Sequence, residues 1–290
     1  LNNMIWLNIS KIYARLYGLV KDKFKYNIRG FGFVMRRINS DAILNLHGYK
    51  IFFDHVEAEA YSRVLGGVYN EPETHIFIRR IAANLKFDFI EVGGSIGEIL
   101  VDIAKCQNVI SAYVFEPNPR CAKIIKLNLV LNDLEHVELE QAAVGEHSGT
   151  AKMYFGSHSP TASILSESSK QLGQDVAVVT LDNYFQGKQL QPNLVMLIDV
   201  EGYEPFVLRG AKKIIEGYQP TIIFEYNADS RKHYHITEIY KILGDSYKVY
   251  RLRNDGLLDE EIDFSFNCVA INIKNLIFYK NEGFFFQSPV

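Results

Sequence analysis

From Phe87 onward, short apolar runs alternate with stretches in which apolar residues recur every three or four positions. Phe89-Ile90-Glu91-Val92 runs into Gly93-Gly94 and then a helical stretch over 97–105. Ala112-Tyr113-Val114-Phe115 is followed by Glu116-Pro117 and a helix through 131, and Val137-Glu138-Leu139 leads to Ala142-Ala143-Val144. Leu194-Val195-Met196-Leu197-Ile198 ends at Asp199, a helix is expected over 205–215, and Thr221-Ile222-Ile223-Phe224 ends at Glu225. Runs this apolar suit strands buried on both faces, so the rhythm predicts an α/β fold: a Rossmann-like, mostly parallel sheet with helices on both faces. The tail departs from it. Strands over 247–253 and 266–272, with a turn at Asn254-Asp255-Gly256 and no helix between them, predict an antiparallel C-terminal hairpin that closes the sheet edge.

Before this region the pattern is mixed. Ala42 to Leu46 and Lys50 to Phe53 flank His47-Gly48-Tyr49, which reads as a small hairpin. Ile5, Ile9, Ile12, Leu16 and Leu19 fall at helical spacing while Lys11, Arg15 and Lys21 interrupt any signal-peptide core. That is an amphipathic helix, expected to pack on its own domain or on a second copy in a homo-oligomer, with contact to a membrane surface as the alternative. No uninterrupted apolar stretch is long enough to span a bilayer. The chain therefore divides into an N-terminal helix and hairpin extension (1–70), a main α/β domain (71–275) and a C-terminal tail (276–290). Phe284-Phe285-Phe286 in the tail is expected to pack into the core rather than form a subunit interface. Residues 156–175 are rich in Ser, Gly, Thr and Gln and read as a long loop, a common lining for a site.

Composition narrows the partners. A net charge of -3 gives no reason to expect nucleic acid. Cys106, Cys121 and Cys268 are scattered without a CxxC, which argues against a zinc site or disulfide framework and suits a reducing, cytoplasmic setting. If the N-terminal helix anchors, that setting is at the membrane periphery.

The chemistry gathers at strand ends. Glu91-Val92-Gly93-Gly94-Ser95-Ile96-Gly97-Glu98 sits where a strand turns into a helix; small residues there let a ligand approach the backbone, and the helix start offers free N–H groups. It is not a dinucleotide fingerprint, because Val92 stands at the first glycine position of G-x-G-x-x-G. Glu116, at the end of the next strand, is placed to accept hydrogen bonds from ribose hydroxyls; the plain alternative is a surface acid before Pro117. Asp199-Val200-Glu201-Gly202-Tyr203-Glu204 follows the most apolar strand, and Glu225 ends the neighbouring run in the same way. Acids at buried strand ends are costly unless used, although helix capping by Asp199 or Glu201 would also account for them.

Together these segments resemble the FkbM-type methyltransferases. Phe89 to Glu98 is similar to their first motif, Val114-Phe115-Glu116-Pro117-Asn118-Pro119 to their second, with Asn128 and Asn132 on the following helix. Ala142-Ala143-Val144-Gly145, Thr180-Leu181-Asp182, Ile198 to Glu204, Leu208-Arg209-Gly210-Ala211 and Pro220 to Glu225 follow in order. The resemblance covers roughly 70–226. It implies a class I methyltransferase sheet with a reversed final strand, and S-adenosyl-L-methionine as cofactor. Glu91 and Gly93 would face the methionine part, Glu116 the ribose and Ala142 the adenine edge, with Ser95, Gly97, Pro117 and Asn118 completing the cofactor loops. Gly94-Ser95 stands where the family usually has Ala-Asn, and Glu91 where Asp is commoner.

The resemblance further implies methyl transfer, with a sugar, glycan or other small-molecule hydroxyl as the expected acceptor. An alcohol needs a base as the new bond forms; Asp199 is the first candidate and Glu201 the second. A divalent cation held by Asp199, Glu201 and Glu225 is the less favoured arrangement. His158, Ser159 and Thr161 in the Ser-rich loop, with Glu225, are candidate acceptor contacts. Three other readings stay open: a nucleotide- or NAD-binding enzyme on a similar sheet, a non-catalytic cofactor-binding relative that acts as a partner protein, and, less favoured by charge and by the family, a protein or nucleic-acid methyltransferase.

Overall fold

The computed structural model describes residues 12, 41–55, 62–155, 162–163, 173–262 and 267–285. The predicted N-terminal helix (apart from Ile12, which is helical), His158, Ser159, Thr161 and Phe286 lie outside them. In chain order the strands are β1 (Ala42–Leu46), β2 (Tyr49–Phe53), β3 (Phe87–Val92), β4 (Val109–Phe115), β5 (Val137–Glu140), β6 (Ala143–Val144), β7 (Gly149–Phe155), β8 (Ala162–Ser163), β9 (Gln174–Val179), β10 (Leu194–Ile198), β11 (Thr221–Glu225), β12 (Tyr247–Leu252), β13 (Leu258–Asp259) and β14 (Asn267–Asn272). The helices are α1 (Ser62–Leu65), α2 (Pro72–Asn84), α3 (Glu98–Ala104), α4 (Pro119–Leu131), α5 (Leu181–Tyr184), α6 (Glu204–Arg209), α7 (Lys212–Tyr218), α8 (Ile236–Leu243) and α9 (Leu276–Asn281).

Eight strands form the main sheet in the order β13-β12-β14-β11-β10-β3-β4-β5. The run from β5 to β11 is parallel, and every residue of β3 and β10 is buried; β10 is apolar throughout, as burial on both faces requires, while β3 buries Asp88 and Glu91 among its apolar residues. The chain leaves β3 toward β4 and β5, then returns to β10 on its other side. That reversal makes the β3/β10 boundary a switch point, and in such sheets ligands bind beyond the carboxyl ends of the strands there.

Alternate strand residues feed two apolar layers. Phe89, Val114, Leu197 and Ile223 pack with α2, α3, α4 and the β1–β2 hairpin, while Ile90, Phe115, Ile198 and Phe224 pack with α6, α7 and α8. Phe284 is fully buried in the first layer, edge-on to Phe77 at 5.2 Å, and Phe285 packs against the same layer, so the described part of the aromatic tail packs into the core. The hairpin at 42–53 forms as expected, its turn made by His47 (φ 46°) and Gly48 (φ 94°). Asn128 on α4 ties it down: Oδ1 accepts from Phe52 N (2.6 Å) and Nδ2 donates to Ile96 O (2.8 Å).

Three expectations are adjusted. The C-terminal strands are antiparallel, but β14 inserts between β11 and β12, so β12 and the short β13 lie outside it. The turn at 254–256 therefore leads into β13 rather than directly into β14. The single helix expected over 205–215 is two. A Cβ on Gly210 would lie 2.0 Å from the Gly145 carbonyl oxygen, so the chain passes tightly there. Asp182 then caps the second helix, accepting from Lys213 N (3.0 Å) and Ile214 N (3.1 Å). A second sheet, β6-β9-β7-β8, uses part of the stretch read as a loop: β8 and the start of β9 are paired strands.

Candidate active site

The acids predicted at strand ends lie together at the carboxyl edge of the sheet. Glu91, one residue before the end of β3, is 3% exposed, and its Oε2 has no hydrogen-bond partner among the described residues. Burial raises its carboxyl well above the usual range; facing Glu71, Glu98 and Glu116 add to this, and His75 opposes it. Gly93 follows at φ 90°, and a Cβ there would sit 1.9 Å from the Asp199 carbonyl oxygen. Gly94 is confined in turn, its absent Cβ 2.3 Å from Val114 Cγ2. The β3 loop is thus pressed between β4 and β10 with no room for side chains. Ser95 adopts a left-handed φ of 48° and Gly97 one of 76° before α3 begins.

Ser95 N donates to Glu116 Oε2 (2.8 Å) and Asn118 N to Glu116 Oε1 (2.8 Å). Both oxygens are fixed by the backbone, yet each keeps a lone pair for a ligand hydroxyl. Burial pushes this carboxyl up to about 7, against the two N–H groups that favour its charge. Asn118 caps α4 through Oδ1 to Arg120 N (3.0 Å), and Pro117 is half-buried in the turn before it. Ala142 is fully buried two residues past β5, whose end is bound to the Glu116 strand by Glu116 N to Glu140 O (3.1 Å).

Asp199 N donates to Val92 O (2.9 Å), which stitches the ends of β10 and β3. The side chains of Asp199, Glu201 and Glu225 each bring a carboxylate oxygen to within 4.8 Å of the others. Glu201 is held at φ 55°, a conformation unusual for a side-chain-bearing residue and a mark of functional sites. Burial first, then the facing Glu225, Glu71, Glu201 and Glu204, lifts the Asp199 carboxyl far above its usual range. Glu225 is pushed up to about 8 by burial and by Glu201, Glu204 and Glu71. Asn227 Nδ2 donates to Glu225 Oε1, and Tyr234 OH to the Glu225 carbonyl (2.8 Å), which fixes the turn beyond β11.

The sequence reading assigned no role to several residues that the fold brings here. Glu204 is fully buried; Oε1 accepts from Val200 N (3.3 Å) and Gly202 N (3.2 Å), while Oε2 has no partner among the described residues. Glu71 precedes α2 and accepts from Thr74 Oγ1 (3.1 Å) and Asn267 Nδ2 (2.6 Å). His75 lies between Asp102 (2.7 Å) and Glu98 (3.3 Å), pushed up to about 9 by these carboxylates against its burial. Pro72 at the start of α2 and the apolar positions Phe77, Ile78, Ile81 and Ala82 at helical spacing are sequence signals that would have flagged this helix.

A family model described as the methyltransferase FkbM domain matches residues 91–252, which holds every acid above except Glu71. The chain belongs to the FkbM methyltransferase domain family. No curated protein matches it. Among solved structures it is similar to methyltransferase FkbM from Methylobacillus flagellatus KT, with 15% identity and a TM-score of 0.46 over 75% of this chain and 53% of that one. It is also similar to an rRNA methylase from Streptococcus thermophilus (12% identity, TM-score 0.41, 71% of this chain and 98% of that one). A third is M. jannaschii TYW2 in complex with AdoMet (13% identity, TM-score 0.40, 80% of this chain and 84% of the other). The chain thus spans about half the length of the FkbM structure it matches. No helix among the described residues is long and apolar enough to cross a membrane.

Proposed function

We propose that this chain transfers a methyl group from S-adenosyl-L-methionine to a hydroxyl of a small-molecule, sugar or glycan acceptor. The observation that carries this reading is Glu116, held by Ser95 N–H and Asn118 N–H beside a glycine turn that no side chain can enter. The residues fit a sulfonium nucleoside. Glu116 receives the ribose hydroxyls, Ala142 borders the adenine, and Gly93 and Glu91 face the methionine part, where the orphaned Glu91 Oε2 offers an acceptor. When bound, the cofactor supplies an already activated methyl group.

The protein's own work is to bind, orient and move one proton. Asp199 takes the acceptor hydroxyl's proton, with Glu201 beside it. A carboxylate that burial and like charges have made a stronger base suits an alcohol better than an ordinary surface acid does. Glu225 orients the acceptor. Exclusion of water falls to the packed strand ends around Asp199 and Gly93.

Calorimetry with S-adenosylhomocysteine, compared with NAD, tests the cofactor; binding of the first and not the second is expected. An acceptor can be found by mass spectrometry of what accumulates unmethylated when the gene is removed. With that acceptor, Asp199→Asn should lower kcat by about tenfold or more, the low end for a general base, with S-adenosylhomocysteine affinity unchanged. Failure of the wild type to bind S-adenosylhomocysteine refutes the reading, and an unchanged kcat removes Asp199 from the mechanism.

A further inference from the structure

Asp199, Glu201 and Glu225 come from the ends of two adjacent strands and the turn beyond one of them. Their oxygens lie within 4.8 Å of one another. Donors on opposite sides of a hard divalent cation are about 4–5 Å apart, given metal–oxygen distances of about 2.0–2.5 Å, so one ion between them fits the spacing. An acidic cluster alone does not make a site, and a second observation bears on this one. Glu204 is fully buried, anchored through Oε1 to the backbone of the same turn, and its Oε2 is left without a partner among the described residues. The charges that bear most on Asp199 are those of the acids Glu225 on β11, Glu71 before α2, and Glu201 and Glu204 on its own turn, while the His233 ring packs against Gly202 of that turn. A contrasting group at Asp41, Asp54 and His55 has comparable spacing, but its carboxylates already have partners within the chain, Arg120 on Asp54 (2.6 Å) and a hydrogen bond between His55 and Asp41 (2.7 Å). A buried, unpaired carboxylate facing three others is costly without a counter-charge.

We infer that Asp199, Glu201 and Glu225 bind one hard divalent cation of the magnesium, manganese or calcium class, with Glu204 as the buried counter-charge behind it. Three carboxylate ligands leave positions open to water or to acceptor oxygens. A cation held there would lower the carboxyls of its ligands, so its use to align an acceptor would stand in place of Asp199 as the base and rests on the methyl-transfer reading; the cation site itself does not.

The test uses the full chain, stripped of metal and titrated with Mn2+ while free Mn2+ is followed by electron paramagnetic resonance. One Mn2+ per chain is expected, displaced by Mg2+. Asp199→Asn and Glu225→Gln should each weaken binding by about tenfold or more, while Glu138→Gln, an exposed acid on the outer strand β5, should leave it unchanged. Isosteric amides relieve the repulsion, so folding of the variants is checked by thermal melting; Mn2+ should raise the melting temperature of the wild type and not of the two variants. No saturable Mn2+ binding at millimolar concentration, or equal binding by all four proteins, overturns the inference. S-adenosylhomocysteine calorimetry on the same samples separates the two readings. Mn2+ bound without nucleoside upholds the cation site and refutes methyl transfer; nucleoside bound without Mn2+ does the reverse.

Discussion

Gly93→Ala isolates the tightest contact in the site. The added Cβ would lie 1.9 Å from the Asp199 carbonyl oxygen and 2.9 Å from its carbon, at φ 90°. Neither strand end can retreat cheaply, since Gly93 N donates to Phe115 O (2.9 Å) and Asp199 N to Val92 O (2.9 Å). The left-handed backbone costs an alanine about 1–2 kcal/mol, and overpacking a close-packed region costs about 1–3 kcal/mol. Together they predict a loss of about 2–5 kcal/mol. For 290 residues the unfolding entropy is about 0.6 kcal/mol per kelvin, so the melting temperature should fall by about 3–8 °C. Gly48→Ala is the control, because Gly48 has nearly the same φ of 94° but nothing within 4 Å of its absent Cβ. It should show the backbone cost alone, about 2–3 °C. Calorimetric melting of both variants decides the matter. Equal losses would mean that the approach of β3 to Asp199 is not the constraint, and the argument for a side-chain-free cofactor turn would fail with it.

Two further predictions follow from buried polar groups. The metal-free protein should melt at progressively lower temperature between pH 5 and pH 9. Glu116, from 4.5 to about 7, and His75, from 6.5 to about 9, are both raised, so their contributions are complete below the unfolded-state value and are lost as pH rises through the folded one. At about 1.4 kcal/mol per tenfold change in proton affinity each carries about 3 kcal/mol, and a melting temperature that climbs over this range would contradict the assignment. Asn128→Ala removes a fully buried side chain and strands the partly buried Phe52 N–H and the buried Ile96 carbonyl. At about 1–3 kcal/mol for each orphaned group it should cost about 2–6 kcal/mol in urea unfolding, whereas a loss within experimental error would show that the hairpin is not held through this side chain.

The sheet was legible because its strands are buried on both faces. An unbroken run such as Leu194 to Ile198 has few other uses, and the acid after it marks the carboxyl end. The site was legible only where its residues adjoin such runs. Glu71 is contributed by the start of α2 and held by Asn267 from β14, 196 positions away, a juxtaposition that no local pattern encodes. Glu204 stood in plain view within Asp199 to Glu204, but its role depends on which oxygen the turn's N–H groups occupy. Ser95 and Glu201 were readable as polar residues at turns, though not as residues held in left-handed conformations, where local preference favours glycine. The break between α6 and α7 escaped because the contact that forces it, Gly210 against Gly145, is likewise non-local.

A comparison within one strand separates structural acids from working ones. Asp88 and Glu91 both lie on β3, at 2% and 3% exposure. Asp88 accepts from Ser111 N (3.0 Å) and Gln191 N (2.8 Å), so both its oxygens are used in tying β3 to its neighbours at the amino end of the strand. Glu91, three residues on, leaves Oε2 unpartnered among the described residues and faces other acids. Solvent exposure is nearly the same, but the Glu91 carboxyl sits deeper and, unlike that of Asp88, is not satisfied. Moving along the carboxyl edge from Glu91 to Glu204, orphaned oxygens and left-handed side-chain-bearing residues recur within a few residues of one another. A fold that satisfies Asp88 with two backbone N–H groups is able to satisfy an acid on this sheet. Among the described residues nothing meets Glu91 Oε2 or Glu204 Oε2, and the two readings proposed above would each bring a positive partner to this edge, a sulfonium nucleoside beside Glu91 and a hard cation beside Asp199.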